Sequence, residues 1–133
     1  MRGIIMENLI IQGTKTAPEV AFFSDGNLKI EGKIITENAP IVFSPIFEWL
    51  NNFHPEKVVF DIAIEYMNTS ASMHLYRVIN HLDGDIGIKE FNVNWYYDED
   101  DEEHLEIGEI FQDKLNRAKF KFIKVDDEES NAA

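Results

Sequence analysis

Two adjacent hydroxyl residues, Thr69 and Ser70, carry the most specific chemistry in this sequence, because they lie where a strand pattern ends and a helix pattern begins. At a helix N-terminus a hydroxyl can cap an unpaired backbone N–H. It can also carry a phosphate, whose negative charge the helix N-terminus stabilises. Capping is the commoner role of such residues, so local physics alone favours a cap over a modification site.

The residues near these hydroxyls bear on two other roles, catalysis and metal binding. A small hydrolase could use Ser70 or Thr69 as its nucleophile, but it would need a base within roughly 2.6 to 3.2 Å of the hydroxyl. His74 is one helical turn beyond Ser70 and is poorly placed for that role.

The histidines also do not suggest a metal site. His74 and His81 are two turns apart, too far to chelate one ion directly, and the other histidines are scattered. We therefore predict no metal site, no cofactor and no enzyme activity.

The elements around the junction follow from the apolar pattern. Residues 58–64 form a β-branched apolar run typical of a central strand. Helix-spaced apolar residues then predict a helix over 70–82. Upstream, strands are predicted at 9–12, 20–23 and 28–32, the last two as a hairpin, followed by a helix over 41–53 with Pro45 in its first turn or at a kink. Downstream, a strand at 91–97, a helix over 105–115 and a strand at 120–125 complete the chain.

This order, β-β-β-α-β-α-β-α-β, predicts an α/β (α+β) fold with a mixed sheet and helices packed mainly on one face. With 133 residues the chain is expected to be one domain, at 1–125, followed by a disordered acidic tail at 126–133. There is no cysteine, which excludes disulfides and thiol catalysis.

Charge and hydropathy restrict the partners. The formal net charge is −13, and ten of the 25 acidic residues lie in two runs, at 98–103 and 126–129. Without a basic stripe such a chain would repel a phosphate backbone, so nucleic-acid binding is not expected. No apolar run reaches the ~20 residues of a membrane span, and no signal peptide is recognised. We therefore expect a cytoplasmic protein that does not bind membranes.

Four ordered segments resemble the motifs of one bacterial family. Residues 11–18 are similar to its G-T-x-x-T-P segment, and residues 32–33 with 37–39 to its G-R-S-x-P-E-N segment. Residues 66–70 match its Y-x-N-T-S segment. Residues 95–97, 100–102 and 106–109 resemble its W-x-Y, acidic and G-E block. Together they resemble the SiaC-like regulatory phosphoproteins, a group related in fold to the STAS domains of anti-sigma-factor antagonists.

The resemblance implies a switch without catalytic activity. In that family the threonine of Y-x-N-T-S is phosphorylated by a histidine-kinase-like Ser/Thr kinase and dephosphorylated by a metal-dependent protein phosphatase. The unmodified protein activates a diguanylate cyclase, which controls cyclic di-GMP and surface growth. By position the acceptor here is Thr69, with Ser70 as runner-up and as the expected cap. An anti-sigma-factor antagonist, in a related partner-switching module, is the alternative.

The partner is expected to contact the start of the second helix and the block after the fifth strand. The residues predicted to form this surface are Asn68, Ser70, Met73, His74, Tyr76, Arg77, Trp95 and Tyr96.

Overall fold

Strands and helices alternate as predicted in the computed structural model, which describes residues 6–125. The strands are β1 (Leu9–Ile11), β2 (Glu19–Phe22), β3 (Asn27–Ile34), β4 (Lys57–Met67), β5 (Glu90–Asp98) and β6 (Lys119–Val125). The helices are α1 (Ala39–Leu50), α2 (Thr69–Asp83) and α3 (Glu102–Lys114). The predicted element order and mixed α/β class are confirmed. The tail at 126–133 lies outside the described residues.

The six strands form one sheet in the order β1-β2-β3-β4-β5-β6. The first three are antiparallel, and β3 to β6 run parallel to one another. Each helix connects two neighbouring parallel strands, and all three crossovers step in the same direction along the sheet. Because such crossovers are right-handed, all three helices lie on one face. The carboxyl ends of four strands, and the starts of all three helices, therefore meet at one edge of the sheet, called here the carboxyl edge.

The core lies between the helices and this face of the sheet. In β4 the alternate residues Val58, Phe60, Ile62 and Ile64 are buried, while their neighbours point to the opposite face. On that face cross-strand polar pairs replace packing: Asn94 donates to Asp61 at 2.7 Å. Burying one apolar side chain such as these stabilises the fold by about 1.5 to 3 kcal/mol. The face of β4 that packs against the helices therefore fixes the register of the sheet.

The elements begin and end within three residues of the predicted bounds, and three details differ for a physical reason. Pro45 is inside α1, beyond its first turn. It has no N–H to donate to the backbone carbonyl four residues earlier, but Pro45 is exposed, so that carbonyl can bond to water. β4 extends to Met67, three residues further than its continuous apolar run indicated. The acidic run at 98–103 is divided among the end of β5, a turn and the start of α3, where Asp101 caps the helix. Within residues 6–125 no helix is long and apolar enough to cross a membrane.

Candidate functional site

Thr69 is the first residue of α2, at the carboxyl edge of the sheet. The helix cap is Asn68, whose side-chain oxygen Oδ1 accepts from the backbone N–H of Ala71 at 2.9 Å. The expectation that Ser70 caps the helix is therefore wrong, because Ser70 already lies within the first turn. Thr69 and Ser70 are both exposed. Among the hydrogen bonds of the described residues, none involves the hydroxyl of either one.

Asn68 also ties the start of α2 to the loop that enters α1. Its side-chain nitrogen Nδ2 donates to the backbone oxygen of Thr36 at 2.7 Å, and its own N–H donates to Ile34 at 3.3 Å. One asparagine thus holds the phosphoacceptor candidate and the β3–α1 loop in a fixed relation. Its amide is used within the chain, and the contact of Asn68 with a partner stays a prediction.

The same end of the molecule holds three of the four segments that resemble the family. Ile35 donates its N–H to the backbone oxygen of Thr16 at 2.8 Å, which fastens the loop at 13–18 to the end of β3. In that loop the Thr14 hydroxyl accepts from the N–H groups of Thr16 and Ala17. Residues distant in sequence therefore converge around Asn68 and Thr69.

Exposed apolar side chains lie at this end of the fold. Ile35 and Tyr66, at the ends of β3 and β4, are 44% and 54% exposed, and Met73, one turn along α2, is 54% exposed. Ile41 in the first turn of α1 is 69% exposed. Exposed apolar side chains grouped in one region are typical of a protein-binding surface. We call Ile35, Ile41, Tyr66 and Met73 the apolar rim; of these, only Met73 was predicted from the sequence.

The other predicted residues of α2 face different neighbours. His74 and Arg77 line a groove of about 490 Å³ between α1 and α2. The Nδ1 atom of His74 is 2.9 Å from the backbone oxygen of Ser70, so this ring bonds to the helix backbone and not to a hydroxyl. Tyr76 is half-buried on the other side of α2, with its ring 5.2 Å from that of Phe111. The helix thus presents Met73 and Arg77 outward and uses Tyr76 for packing.

Trp95 is not on the surface, which corrects its prediction as a partner contact. Its side chain is 0% exposed, and its indole N–H donates to the backbone oxygen of His104 at 3.2 Å. A Cβ built on Gly108 would lie 2.7 Å from the indole ring, so only a glycine lets α3 approach this closely. Tyr96, the next residue along the strand, is half-buried on the opposite face of the sheet.

His104 is a buried histidine in the first turn of α3. Its ring stacks on Trp95 with centroids 4.9 Å apart, and its Nε2 atom has no hydrogen-bond partner within the described residues. Burial lowers the pKa of His104 below its ordinary value of 6.5, and the nearby carboxylate of Asp101 opposes that shift. Trp95 and Gly108, both in the fourth family-like segment, support the packing of α3 in the same way, while the acidic residues of that segment lie at the carboxyl edge, where α3 begins.

The described residues do not form a recognisable catalytic or metal site. Within 6–125 no group of three or more His, Asp or Glu side chains is close enough to hold a metal ion. The hydroxyls of Thr69 and Ser70 have no base at hydrogen-bonding distance in that same range. What the geometry offers instead is an accessible hydroxyl on a capped helix, at the same edge of the sheet as the apolar rim.

Comparisons with solved structures give the same fold. The chain superposes on SiaC of Pseudomonas aeruginosa with a TM-score of 0.80 and 22% identity, covering 90% of this chain and 100% of the other. A chain in the crystal structure of the diguanylate cyclase SiaD in complex with its activator SiaC, from the same organism, gives 0.79 and 23%, with 88% and 99% covered. Apo-SiaC of that organism gives 0.67 and 23%, with 89% and 99% covered.

The family assignment rests on the sequence. No curated protein matches the chain significantly. The family model described as SiaC family regulatory phosphoprotein matches residues 11–125, which is most of the chain. The predicted family is thereby confirmed, and the chain belongs to the SiaC family of regulatory phosphoproteins.

Proposed function

We propose that this chain is a signalling switch without catalytic activity, in which phosphorylation of Thr69 controls the binding of a diguanylate cyclase. The unphosphorylated protein binds and activates the cyclase. A Ser/Thr kinase of the histidine-kinase-like ATPase fold adds the phosphate, and a metal-dependent protein phosphatase removes it. Two findings support this proposal: the family is one of regulatory phosphoproteins, and its solved member SiaC is described as the activator of the cyclase SiaD.

The observation that carries the proposal is the accessibility of Thr69. Its side chain is exposed, while Asn68 supplies the cap that would otherwise engage a hydroxyl. A kinase can therefore reach the oxygen without unwinding α2. Once added, a phosphate of about −1.5 to −2 charge lies at the helix N-terminus, which stabilises it by roughly 0.3 to 1 kcal/mol. The modification is thus compatible with the folded state.

The apolar rim explains how a phosphate could prevent binding without changing the fold. A partner that packs on Ile35, Tyr66 and Met73 removes water from the region around Thr69. A phosphate there would have to lose its hydration without gaining a counter-charge, and the acidic run at 98–103 starts at the same edge of the sheet. A cost of a few kcal/mol corresponds to a loss of affinity of ~100-fold.

The modification site can be tested by mass spectrometry. The intact protein is incubated with ATP and a purified Ser/Thr kinase of the histidine-kinase-like ATPase fold from the same organism, and the phosphorylated residue is mapped. We expect one phosphoryl group on Thr69 in the wild type and in Ser70→Ala, and none in Thr69→Ala. Equal phosphorylation of Thr69→Ala would contradict the assignment, and loss of phosphorylation only in Ser70→Ala would identify the runner-up residue instead.

The output can be tested separately by co-purification from cells in which this chain is tagged. Recovery of a diguanylate cyclase with the Thr69→Ala protein would support the proposed output. Recovery of an anti-sigma kinase in its place would contradict the cyclase assignment and favour the partner-switching alternative. The proposed kinase uses ATP and the proposed cyclase uses GTP, and both nucleotides are cytoplasmic. The proposal therefore also implies that the chain acts in the cytoplasm.

A further inference from the structure

The outer face of α3 carries four acidic side chains in a single stripe. They are exposed and lie at helical spacing: Glu102, Glu106, Glu109 and Asp113. With a rise of about 1.5 Å per residue the stripe is about 16 Å long. None of its carboxylates forms a salt bridge within residues 6–125. By contrast, α1 and α2 together expose one carboxylate, that of Glu48. The stripe is therefore a local feature and not merely a consequence of the net charge of −13.

The stability of the helix does not explain this stripe. Glu102 and Glu106 are like charges four residues apart, which repel one another on a helix surface, and the same holds for Glu109 and Asp113. Asp113 is also in the last turn of α3, where the helix dipole disfavours a negative charge. Local preferences that a sequence breaks without a gain in folding are typical of functional surfaces.

An exposed apolar side chain lies beside the stripe. Ile110 is 51% exposed, and it follows Glu106 by one helical turn, so the two side chains are neighbours. Ile107 is half-buried and lies one turn before Ile110. The basic residue at the end of the helix, Lys114, is directed to α2, with its Nζ atom 5.7 Å from the centre of the Tyr76 ring. The outer face of α3 thus combines apolar contact area with carboxylates that can pair with a partner.

We propose that this face of α3 is a docking surface for a basic amphipathic helix of another protein. Lysine or arginine side chains at helical spacing on that helix would pair with the acidic stripe, and its apolar side chains would cover Ile107 and Ile110. A single metal ion does not fit, because neighbouring carboxylates of the stripe are a helical turn apart, and within 6–125 no cluster able to hold a metal is present. A second copy does not fit either, because the helices of this chain carry only two lysine or arginine residues, Arg77 and Lys114.

This docking surface is separate from the proposed switch. The acidic stripe extends along α3 away from the carboxyl edge, to Asp113 at the other end of the helix, and it does not include Thr69. Docking is therefore expected for phosphorylated and unphosphorylated protein alike. Failure of the docking test would leave the assignment of Thr69 unaffected.

Charge reversal tests the surface without weakening the helix. Glu106→Lys/Glu109→Lys places opposite charges four residues from Glu102 and Asp113, so this variant should be at least as stable to heat as the wild type. A destabilised variant would contradict the inference that the stripe serves binding and not folding. The control Glu37→Lys/Glu48→Lys changes the net charge equally at exposed positions outside α3.

The probe is a synthetic helical peptide of about 18 residues with leucines on one face and lysines on the other, titrated into each full-length protein. In NMR spectra the chemical-shift changes should be centred on α3. By fluorescence anisotropy the charge reversal should weaken binding about tenfold or more relative to the control variant, and Ile110→Ser should weaken it about threefold or more. A peptide of the same composition in scrambled order should bind more weakly to the wild type. Equal affinity of the two double variants, or of the two peptides, would overturn the proposal, because binding would then reflect net charge alone.

Photo-cross-linking in cells of the source organism tests the chemistry of the natural partner. A photoreactive amino acid replaces Ile110, and Asn80, which is exposed on α2, is the control position. We expect a cross-link specific to position 110 whose partner peptide carries lysine or arginine at helical spacing. A cross-link to a second copy or to a segment without basic residues, equal cross-linking at position 80, or no cross-link at all would overturn the proposal.

Discussion

Replacing Asn68 by alanine should destabilise the fold by removing two hydrogen bonds at the site. Loss of a helix N-cap costs typically about 1 kcal/mol. Loss of the 2.7 Å bond from Asn68 to the Thr36 oxygen costs about 1 kcal/mol more, because that part-buried oxygen loses its partner. The free energy of unfolding should therefore fall by about 2 kcal/mol. For a domain of this size the melting temperature should fall by roughly 6 to 12 °C.

Urea denaturation followed by circular dichroism measures this change, and three variants separate its parts. Asn68→Ser keeps a capping oxygen but not the donor to Thr36, so it should lose about half as much stability. Ser70→Ala should stay within about 0.5 kcal/mol of the wild type, since its hydroxyl caps nothing. Asn80→Ala controls for an exposed asparagine elsewhere in α2. If Ser70→Ala were the more damaging substitution, the assignment of Asn68 as the cap would be refuted.

Three further predictions concern the packing around the site. Gly108→Ala should lower the free energy of unfolding by about 1 to 3 kcal/mol in urea denaturation, because its Cβ would meet the Trp95 ring at 2.7 Å; an unchanged stability would contradict that close approach. Asp83→Ala should cost about 3 kcal/mol or more in the same assay, since the buried Asp83 carboxylate accepts three backbone N–H groups from the α3–β6 loop; a loss below about 1 kcal/mol would show that the loop does not need it. Burial lowers the folded-state pKa of His104 below 6.5, so the unfolded state binds a proton at a higher pH than the folded state does. The free energy of unfolding is therefore unaffected above about pH 6.5. It falls as the pH drops towards the folded-state pKa, by at most about 1.4 kcal/mol per pH unit. The difference in unfolding free energy between wild type and His104→Phe should shrink as the pH falls, and a difference that stays constant with pH would contradict this reasoning.

The fold could be predicted from the sequence because each element carries its own periodic signal. The apolar run at 58–64 predicted the central strand, and the helical spacing of apolar residues in α2 predicted the second helix. Turn residues between such segments predicted the order of strands and helices along the chain. The end of β4 could not be placed, since Tyr66 is exposed and breaks the apolar pattern while pairing with Lys33 still continues the strand.

The candidate site was predicted only in part, because it is made by contacts between distant residues. The strand-to-helix junction identified Thr69, but neither spacing nor composition shows that Asn68 reaches the Thr36 oxygen, 32 positions away in the chain. Ile35 and Ile41 look like ordinary core residues in a sequence. The prediction for Trp95 was wrong for the related reason that an aromatic residue in an alternating strand can face either side, and only the docking of α3 on this residue decides which.

The central claim is tested most directly by the affinity of the purified diguanylate cyclase for this protein before and after phosphorylation. Isothermal titration calorimetry would compare the unmodified protein with the fully Thr69-phosphorylated one, and Thr69→Ala, treated with kinase in the same way, serves as the control. We predict that phosphorylation weakens binding by ~100-fold and that the treated Thr69→Ala protein binds like the unmodified wild type. Equal affinities of the phosphorylated and unmodified proteins would contradict the account.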